Sequence, residues 1–457
     1  MLPADFDDAR VQADVAWLVD GVGARPFRSA AAAEAANGVA ARVEAAGWTV
    51  QEVGLPGNLL ACRGDGGWLV LAHTDTVPGS PGAVDNAGAV AVLVELARVW
   101  RGGPLCLGFP VGEEAGLVGS SALAAAWAEG ALGPPPAGVL ALELLGQGEP
   151  TVMGLSRAWD APRLTWLAEV WGPLPPTPFG HLVYSRLLPD WERSDHAPFA
   201  AAGLPALLLL GRGPERVFVD YHQPGDRVAA PGPLRAAAAR IATIAAAGPP
   251  PPPAAHPLAG LAWPVAGRVV PAAASAALLA LGAVAGALQL RRWRTLPGLI
   301  GRGLLGAALA TALSTPLVVS GLLPSHAAEQ TAAATMGTPP AGWWVGAPLA
   351  LVLGVAGFLA VRRAIGPGGS APLLCAIGGA GAAALDPLLA LPFAAGALLS
   401  HLHPLFGVAP AVYLLRPDAL RELAFHGLVP PVAWGLLWLL AIPAMGSRSD
   451  PAPEAAR

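Results

Sequence analysis

Trp68-Leu69-Val70-Leu71-Ala72-His73-Thr74-Asp75 is followed by Asp85-Asn86-Ala87-Gly88. Leu105-Cys106-Leu107-Gly108-Phe109 then leads into Gly112-Glu113-Glu114. Two short apolar runs thus each end in charged or imidazole side chains. Runs of this length bounded by Gly and Pro read as buried strands. Between them, Asp85 to Trp100 reads as a helix with Val90, Leu93, Val94 and Ala97 on one face. A strand, a helix and a second strand make the repeating unit of a parallel sheet.

The same alternation extends in both directions. Residues 9–46 read as two helices, the second capped by Ser29 and ended by Gly47. Trp48 to Val53 and Asn58 to Arg63 read as strands. Beyond the Glu pair come a helix from Ser120 to Ala128 and a strand from Val139 to Leu144. A helix at Arg163 to Trp171 and a short one starting in Ser194-Asp195-His196-Ala197-Pro198-Phe199 follow. A strand at Leu204 to Leu210 and a last helix at Pro231 to Ala247 complete the series. The expected fold is α/β, a mostly parallel sheet sandwiched by helices.

Gly248 to Pro257 holds six prolines, a stiff linker. The composition then changes. Over the whole chain hydrophobic residues are 54% and charged residues 13%, about half the usual charged share of roughly 25%. Most of the imbalance lies after the linker. Val269 to Leu290 carries no charge and is long enough to cross a hydrocarbon core of about 30 Å. Gly303 to Leu323, Trp343 to Val361, Ala371 to Leu391, Phe393 to Leu415 and Gly427 to Gly446 are similar. Asp386-Pro387 and His401-Leu402-His403-Pro404 interrupt the fourth and fifth. The expectation is an all-α transmembrane bundle of six spans in the lipid bilayer. Residues 1–247 then form the soluble domain, 248–260 the linker, 261–447 the membrane domain and 448–457 a tail.

Arginine sets the expected orientation. Arg291, Arg292, Arg294 and Arg302, then Arg362 and Arg363, then Arg416 and Arg421 fall in alternate loops. Pro324 to Gly342 holds none. The positive-inside rule places the arginines in the cytoplasm and the N-terminal domain outside. The acidic start, Met1 to Asp8, shows no basic stretch followed by an apolar run, so no signal peptide is read there. The net charge of −4 excludes nucleic acid as an expected partner. Cys62, Cys106 and Cys375 are too few for a disulfide framework. The first two, in strands, read as core thiols.

The polar residues that end the strands are ligand types for zinc. His73 reads as a ligand, with Asp75 accepting a hydrogen bond from its other ring nitrogen. Asp85 opens the following helix. Of the adjacent pair, Glu114 reads as a ligand and Glu113 as a general base. Glu143 stands in the otherwise apolar run Val139 to Leu145, where an unpaired carboxylate is costly. His222 follows Tyr221 in Tyr-His-Gln-Pro-Gly-Asp.

The order His-x-Asp, Asp-Asn, Glu-Glu, acid, His resembles the co-catalytic di-zinc exopeptidases. That family includes bacterial leucyl aminopeptidases, glutamate carboxypeptidase and the endoplasmic reticulum metallopeptidases. The resemblance covers roughly residues 6 to 230. It implies two zinc ions per chain, one held by His73 and Glu143, the other by Glu114 and His222, with Asp85 bridging. It implies peptide substrates cleaved through a zinc-bridging water, with Glu113 as general base and Tyr221 stabilising the oxyanion. Asp75, Asp195 and His196 support the site. The family usually has Asp where this chain has Glu143. A related family uses Glu there but carries a lid before the last His, and the stretch from Glu143 to His222 is too short for one.

Two rivals stand beside the aminopeptidase reading. Glutaminyl cyclase shares the fold and most ligands but uses one zinc. An inactive peptidase-like ectodomain on a membrane protein or transporter is the other, with Asp386, His401 and His403 as its intramembrane candidates.

Overall fold

The computed structural model describes residues 2–174, 185–186, 192–212, 220–265, 268–288 and 371–400, with scattered positions between 312 and 356. They divide into two compact units, the first running to Val269 and the second starting at Val270.

The first unit is built on a seven-stranded sheet. Its strands are β1 (Val50–Glu52), β2 (Leu59–Arg63), β3 (Trp68–Leu71), β4 (Leu105–Phe109), β5 (Gly138–Glu143), β6 (Glu149–Met153) and β7 (Ala206–Arg212), in the order β1-β2-β4-β3-β5-β7-β6. The four central strands β4, β3, β5 and β7 are parallel. Antiparallel partners close both sides: β1 and β2 beyond β4, and β6 beyond β7. The expected mostly parallel sheet is therefore a parallel centre with antiparallel flanks. Strand β6 is one the sequence reading did not anticipate. Its alternation is broken by Glu149 and Pro150, which an edge strand tolerates.

Strands β3 and β5 are buried along their whole length, which is why they read as unbroken apolar runs. The helices are α1 (Asp8–Ala16), α2 (Ala30–Ala45), α3 (Gly88–Val99), α4 (Val118–Ala128), α5 (Ala161–Trp171), α6 (Ala197–Ala201) and α7 (Pro231–Ala246). The Ser29 hydroxyl caps α2 by accepting from Ala32 N–H at 3.0 Å. Helix α3 is buried on nearly every face. Its one carboxylate, Glu95, is wholly buried and is neutralised by Arg10 and by Arg98 at 3.1 Å. Helix α3 starts at Gly88, so Asp85 does not open it. Asp85 lies in a kinked stretch ahead of the helix, at φ −120° and ψ 78°. Gly88 has no room for a side chain. A Cβ there would stand 2.9 Å from the Leu145 carbonyl, so glycine lets the Asp85 segment close on the end of β5.

Cys62 and Cys106 are not core thiols. They face each other in the β2–β4 register and form a disulfide, with Cys62 exposed. The proline-rich stretch lies along the first unit. Trp68 Nε1 donates to Gly248 O at 2.9 Å, Arg163 Nε to Pro251 O at 3.0 Å and Ala254 N to Asp160 Oδ2 at 2.6 Å. A two-stranded sheet of β8 (Trp263–Val265) and β9 (Arg268–Val270) follows.

The second unit contains α8 (Ala272–Ala287), α9 (Ala371–Leu385) and α10 (Leu391–Leu399), which pack together around Ala285, Cys375 and Ala397. Among the described residues no helix is long and apolar enough to cross a membrane. Helices α8 and α9 have 16 and 15 residues. The spans expected at 303–323 and 343–361 fall largely outside the described residues, and 427–446 falls wholly outside, with His401 and His403. The break expected at Asp386 is present: its carboxylate accepts Leu388 N–H at 3.0 Å and caps a short turn before α10.

Candidate metal centre

Open α/β sheets gather ligands at the carboxyl ends of their strands, where the strand order reverses. From β3 the chain moves to β4 on one side and then to β5 on the other, so the reversal lies at the end of β3. His73 follows β3, Glu113 and Glu114 follow β4, Glu143 ends β5, and Tyr221 and His222 follow β7. Asp85 comes in from the β3–α3 connection. Asn86 secures that connection by donating to Leu142 O at 2.7 Å.

The five expected ligands converge as two triads. His73, Asp85 and Glu143 form one, and Asp85, Glu114 and His222 the other. Within each, one donor atom per residue lies within 4.8 Å of the others. His73 Nε2 is 3.3 Å from Asp85 Oδ1 and 3.5 Å from Glu143 Oε1. His222 Nε2 is 3.4 Å from Asp85 Oδ2 and 3.0 Å from Glu114 Oε2. Asp85 therefore gives one oxygen to each triad. The first triad is buried throughout. The second is more open, with the His222 side chain 33% exposed and its backbone at φ 60°, a left-handed conformation that few non-glycine residues adopt.

The electrostatics are those of a cation site. Asp75, Asp85, Glu113, Glu114, Glu143, Asp195 and Asp226 crowd a mostly buried volume. Burial, reinforced by mutual repulsion, pushes Glu113 well above the usual carboxyl range, Glu143 up to about 7 and Asp195 up to about 6. The imidazoles absorb part of the charge. Burial disfavours their protonation, but Asp85 and Glu114 outweigh it and raise His222 to about 10. Glu143, Asp85 and Glu113 likewise hold His73 well above its ordinary value. Two imidazoles and three carboxylates in two triads, with this negative excess, are donors that fit zinc.

The supporting contacts differ from expectation at Asp75. His73 Nδ1 sits 3.1 Å from the Asp75 backbone carbonyl and 3.7 Å from its carboxylate. The carboxylate instead accepts the Glu113 N–H at 3.1 Å and the Glu114 N–H at 3.3 Å. A main-chain acceptor was in reach of the imidazole, and the turn after β4 left two amides unpaired. Tyr221 stacks on the His222 ring, with centroids 3.8 Å apart and planes at 20°. Asp195 and His196 are both buried, with His196 Nε2 3.7 Å from Glu192 Oε2.

Two supporting residues lie in stretches that the sequence reading quoted without giving them a role of their own. Ser194 Oγ donates to Glu143 Oε2 at 3.1 Å, leaving Oε1 for the triad. Asp226 is buried, and its carboxylate accepts Val84 N–H at 2.8 Å and Asp85 N–H at 3.0 Å. Its carbonyl also accepts Ala83 N–H at 3.1 Å. The one signal for it was its place four residues after His222.

Comparison with known proteins finds similar chains. Aminopeptidase YwaD of Bacillus subtilis is 30% identical over 177 residues, 35% of this chain and 35% of that protein. This chain thus spans about a third of the curated relative's length. Among solved structures, a zinc aminopeptidase from Bacillus subtilis aligns with a TM-score of 0.43 and 16% identity, over 55% of this chain and 96% of that one. A Bacteroides thetaiotaomicron glutaminyl cyclase aligns with a TM-score of 0.43 and 18% identity, over 53% and 99%. The family model described as Peptidase family M28 matches residues 61–247. That match takes in both triads, so the chain is similar to peptidase family M28 over this segment.

Proposed function

We propose that this chain is a membrane-anchored, zinc-dependent exopeptidase, an aminopeptidase acting on peptides. The observation that carries the reading is Asp85, which supplies one oxygen to each of two complete ligand triads. His73, Asp85 and Glu143 would hold one zinc, and Asp85, Glu114 and His222 the second. A zinc pair supplies Lewis acidity toward a carbonyl and lowers the pKa of water at neutral pH.

The chain's own groups supply the rest. Glu113 is fixed through its backbone by Asp75, and burial raises its proton affinity. It is suited to take a proton from water and pass it to the leaving amine. Tyr221 keeps its phenolic proton, because burial and the surrounding carboxylates oppose ionisation. It can therefore donate to a developing oxyanion.

The anchoring half of the proposal rests on the charge-free stretches after residue 268. Placement of the catalytic unit outside the cytoplasm rests on the arginine pattern. The Cys62–Cys106 bridge supports it, since stable disulfides belong to oxidising compartments.

Zinc per chain and hydrolysis of an aminoacyl substrate panel test the reading together. Two zinc ions and Glu113-dependent release of N-terminal residues are expected. One zinc with cyclisation of N-terminal glutamine would favour the glutaminyl cyclase reading. Absence of zinc would end both.

A further inference from the structure

Arg25 is wholly buried and lies outside both triads. Its guanidinium spends every nitrogen on main-chain carbonyls. Nε donates to Thr74 O at 2.7 Å, Nη1 to Pro81 O at 2.7 Å and Gly23 O at 3.1 Å, and Nη2 to Gly82 O at 3.2 Å. Its backbone pairs with the same loop: Arg25 N donates to Thr76 Oγ1 at 3.0 Å, and Thr76 N to Arg25 O at 3.3 Å.

Residues 74–82 are most of the path from His73 to Asp85. A loop of this kind has no ladder to fix its ends, so its carbonyls need other partners. Three of them converge on one planar fork. Gly82 completes the turn at φ 60°, where a Cβ would collide with the Asp85 carbonyl. Asp226 holds the far end through the amides of residues 83 to 85. A buried guanidinium is costly unless it is fully hydrogen-bonded. Here three of the four bonds go to the segment between His73 and Asp85, and the fourth goes to Gly23 O.

We propose that Arg25 is a positioning residue that sets the reach of Asp85 into both triads by closing the 74–82 loop over its fork. The proposal rests on the zinc reading above. Lysine keeps the charge but offers a single flexible ammonium, which cannot span the three carbonyls. Charge and geometry are therefore separable.

The test uses the full-length chain in detergent micelles, with Arg25→Lys, Arg25→Met and Thr76→Val. Zinc dissociation constants from chelator competition are read beside the visible spectrum of the cobalt-substituted protein, with circular dichroism as the check of folding. Both Arg25 variants are expected to bind zinc at least about tenfold more weakly, with an altered cobalt spectrum. Zinc binding and a cobalt spectrum like the wild type's in Arg25→Met would overturn the proposal. Full rescue by Arg25→Lys would also overturn it, by making charge alone sufficient. If neither variant folds, Thr76→Val decides. It leaves the guanidinium in place but cuts one of its two backbone anchors, the Arg25 N–H to Thr76 Oγ1 bond, so a several-fold loss of zinc affinity supports the proposal and unchanged affinity sinks it. A wild-type chain that binds no zinc would instead refute the peptidase reading, and this inference with it.

Discussion

The Asp75 carboxylate accepts the backbone N–H of Glu113 at 3.1 Å, and its second oxygen accepts that of Glu114 at 3.3 Å. One buried side chain thus sets the start of the loop that supplies both a ligand and the proposed base. Asp75→Asn keeps the shape but turns one acceptor into a donor facing an amide. Activity is expected to fall by about 10- to 100-fold, the usual cost of losing such a supporting contact. Because the triads themselves are untouched, zinc per chain should stay at the wild-type value. Steady-state kinetics beside metal analysis checks both halves.

Glu113 belongs to neither triad. Glu113→Gln removes the basic oxygen and preserves the volume. Hydrolysis should drop by about 10²–10⁴-fold, the usual worth of a general base, while both zinc ions remain. A Gln variant that keeps full activity, or that loses zinc along with activity, would show that Glu113 has a different role.

Protons and zinc compete for the same atoms. In the metal-free fold Asp85 and Glu114 overcome burial and raise His222 from its ordinary 6.5 to about 10. Between those values the folded imidazole carries a proton that zinc has to displace. Zinc affinity should therefore climb with pH from neutral toward about 10, and calorimetry in buffers of different ionisation enthalpy should detect proton release. The stability of the metal-free protein runs the other way. A raised folded-state pKa contributes stability that is complete below pH 6.5 and is lost as pH rises through 10. Glu143, raised by burial from 4.5 to about 7, has the same sign over its own lower range. Thermal midpoints of chelator-treated protein should fall on going from pH 6 to 10.

Glu143 is one methylene longer than the aspartate the resemblance leads one to expect, and Ser194 takes up the extra reach. The hydroxyl donates to Oε2 at 3.1 Å, while Oε1 stays 3.5 Å from His73 Nε2. Ser194→Ala leaves a buried carboxylate oxygen without that donor and frees the side chain to turn. We expect about tenfold weaker zinc binding at the buried triad. Glu143→Asp should cost more, because it shortens the reach and strands the serine. Chelator competition on the two variants gives the ranking.

The proposed ligands were legible in the sequence through their placement relative to apolar strands and to one another. A carboxylate in an apolar strand costs too much to bury idle, so Glu143 stood out by position, while His73 and the Glu113–Glu114 pair gained weight only from ending neighbouring apolar runs together. Asp85 and His222, in loops, needed the others beside them. Arg25 and Asp226 left no such trace. They act by hydrogen bonding to main chain, and the amides and carbonyls of residues 74–85 look the same whatever side chains they carry. Strand β6 was hidden because an edge strand is free to hold Glu149 and Pro150. The Asp75 contact went astray because two acceptors on one residue, its carbonyl and its carboxylate, compete for the same imidazole. The disulfide required a register, Cys62 opposite Cys106, which spacing along the chain does not reveal.

That bridge carries the last prediction. It ties β2 to β4, and the end of β4 leads into Glu113 and Glu114. Closing a segment 44 residues apart in sequence restricts the unfolded chain, and such a bridge contributes about 2–4 kcal/mol. Reductant, or the paired change Cys62→Ala with Cys106→Ala, should lower the thermal midpoint without removing a metal ligand. The same bond reports on compartment. Protein alkylated at harvest and then denatured without reductant should label one thiol, Cys375, of the three in the chain. Labelling of all three would place the catalytic unit on a reducing face of the membrane and overturn the outward placement that the arginines suggest.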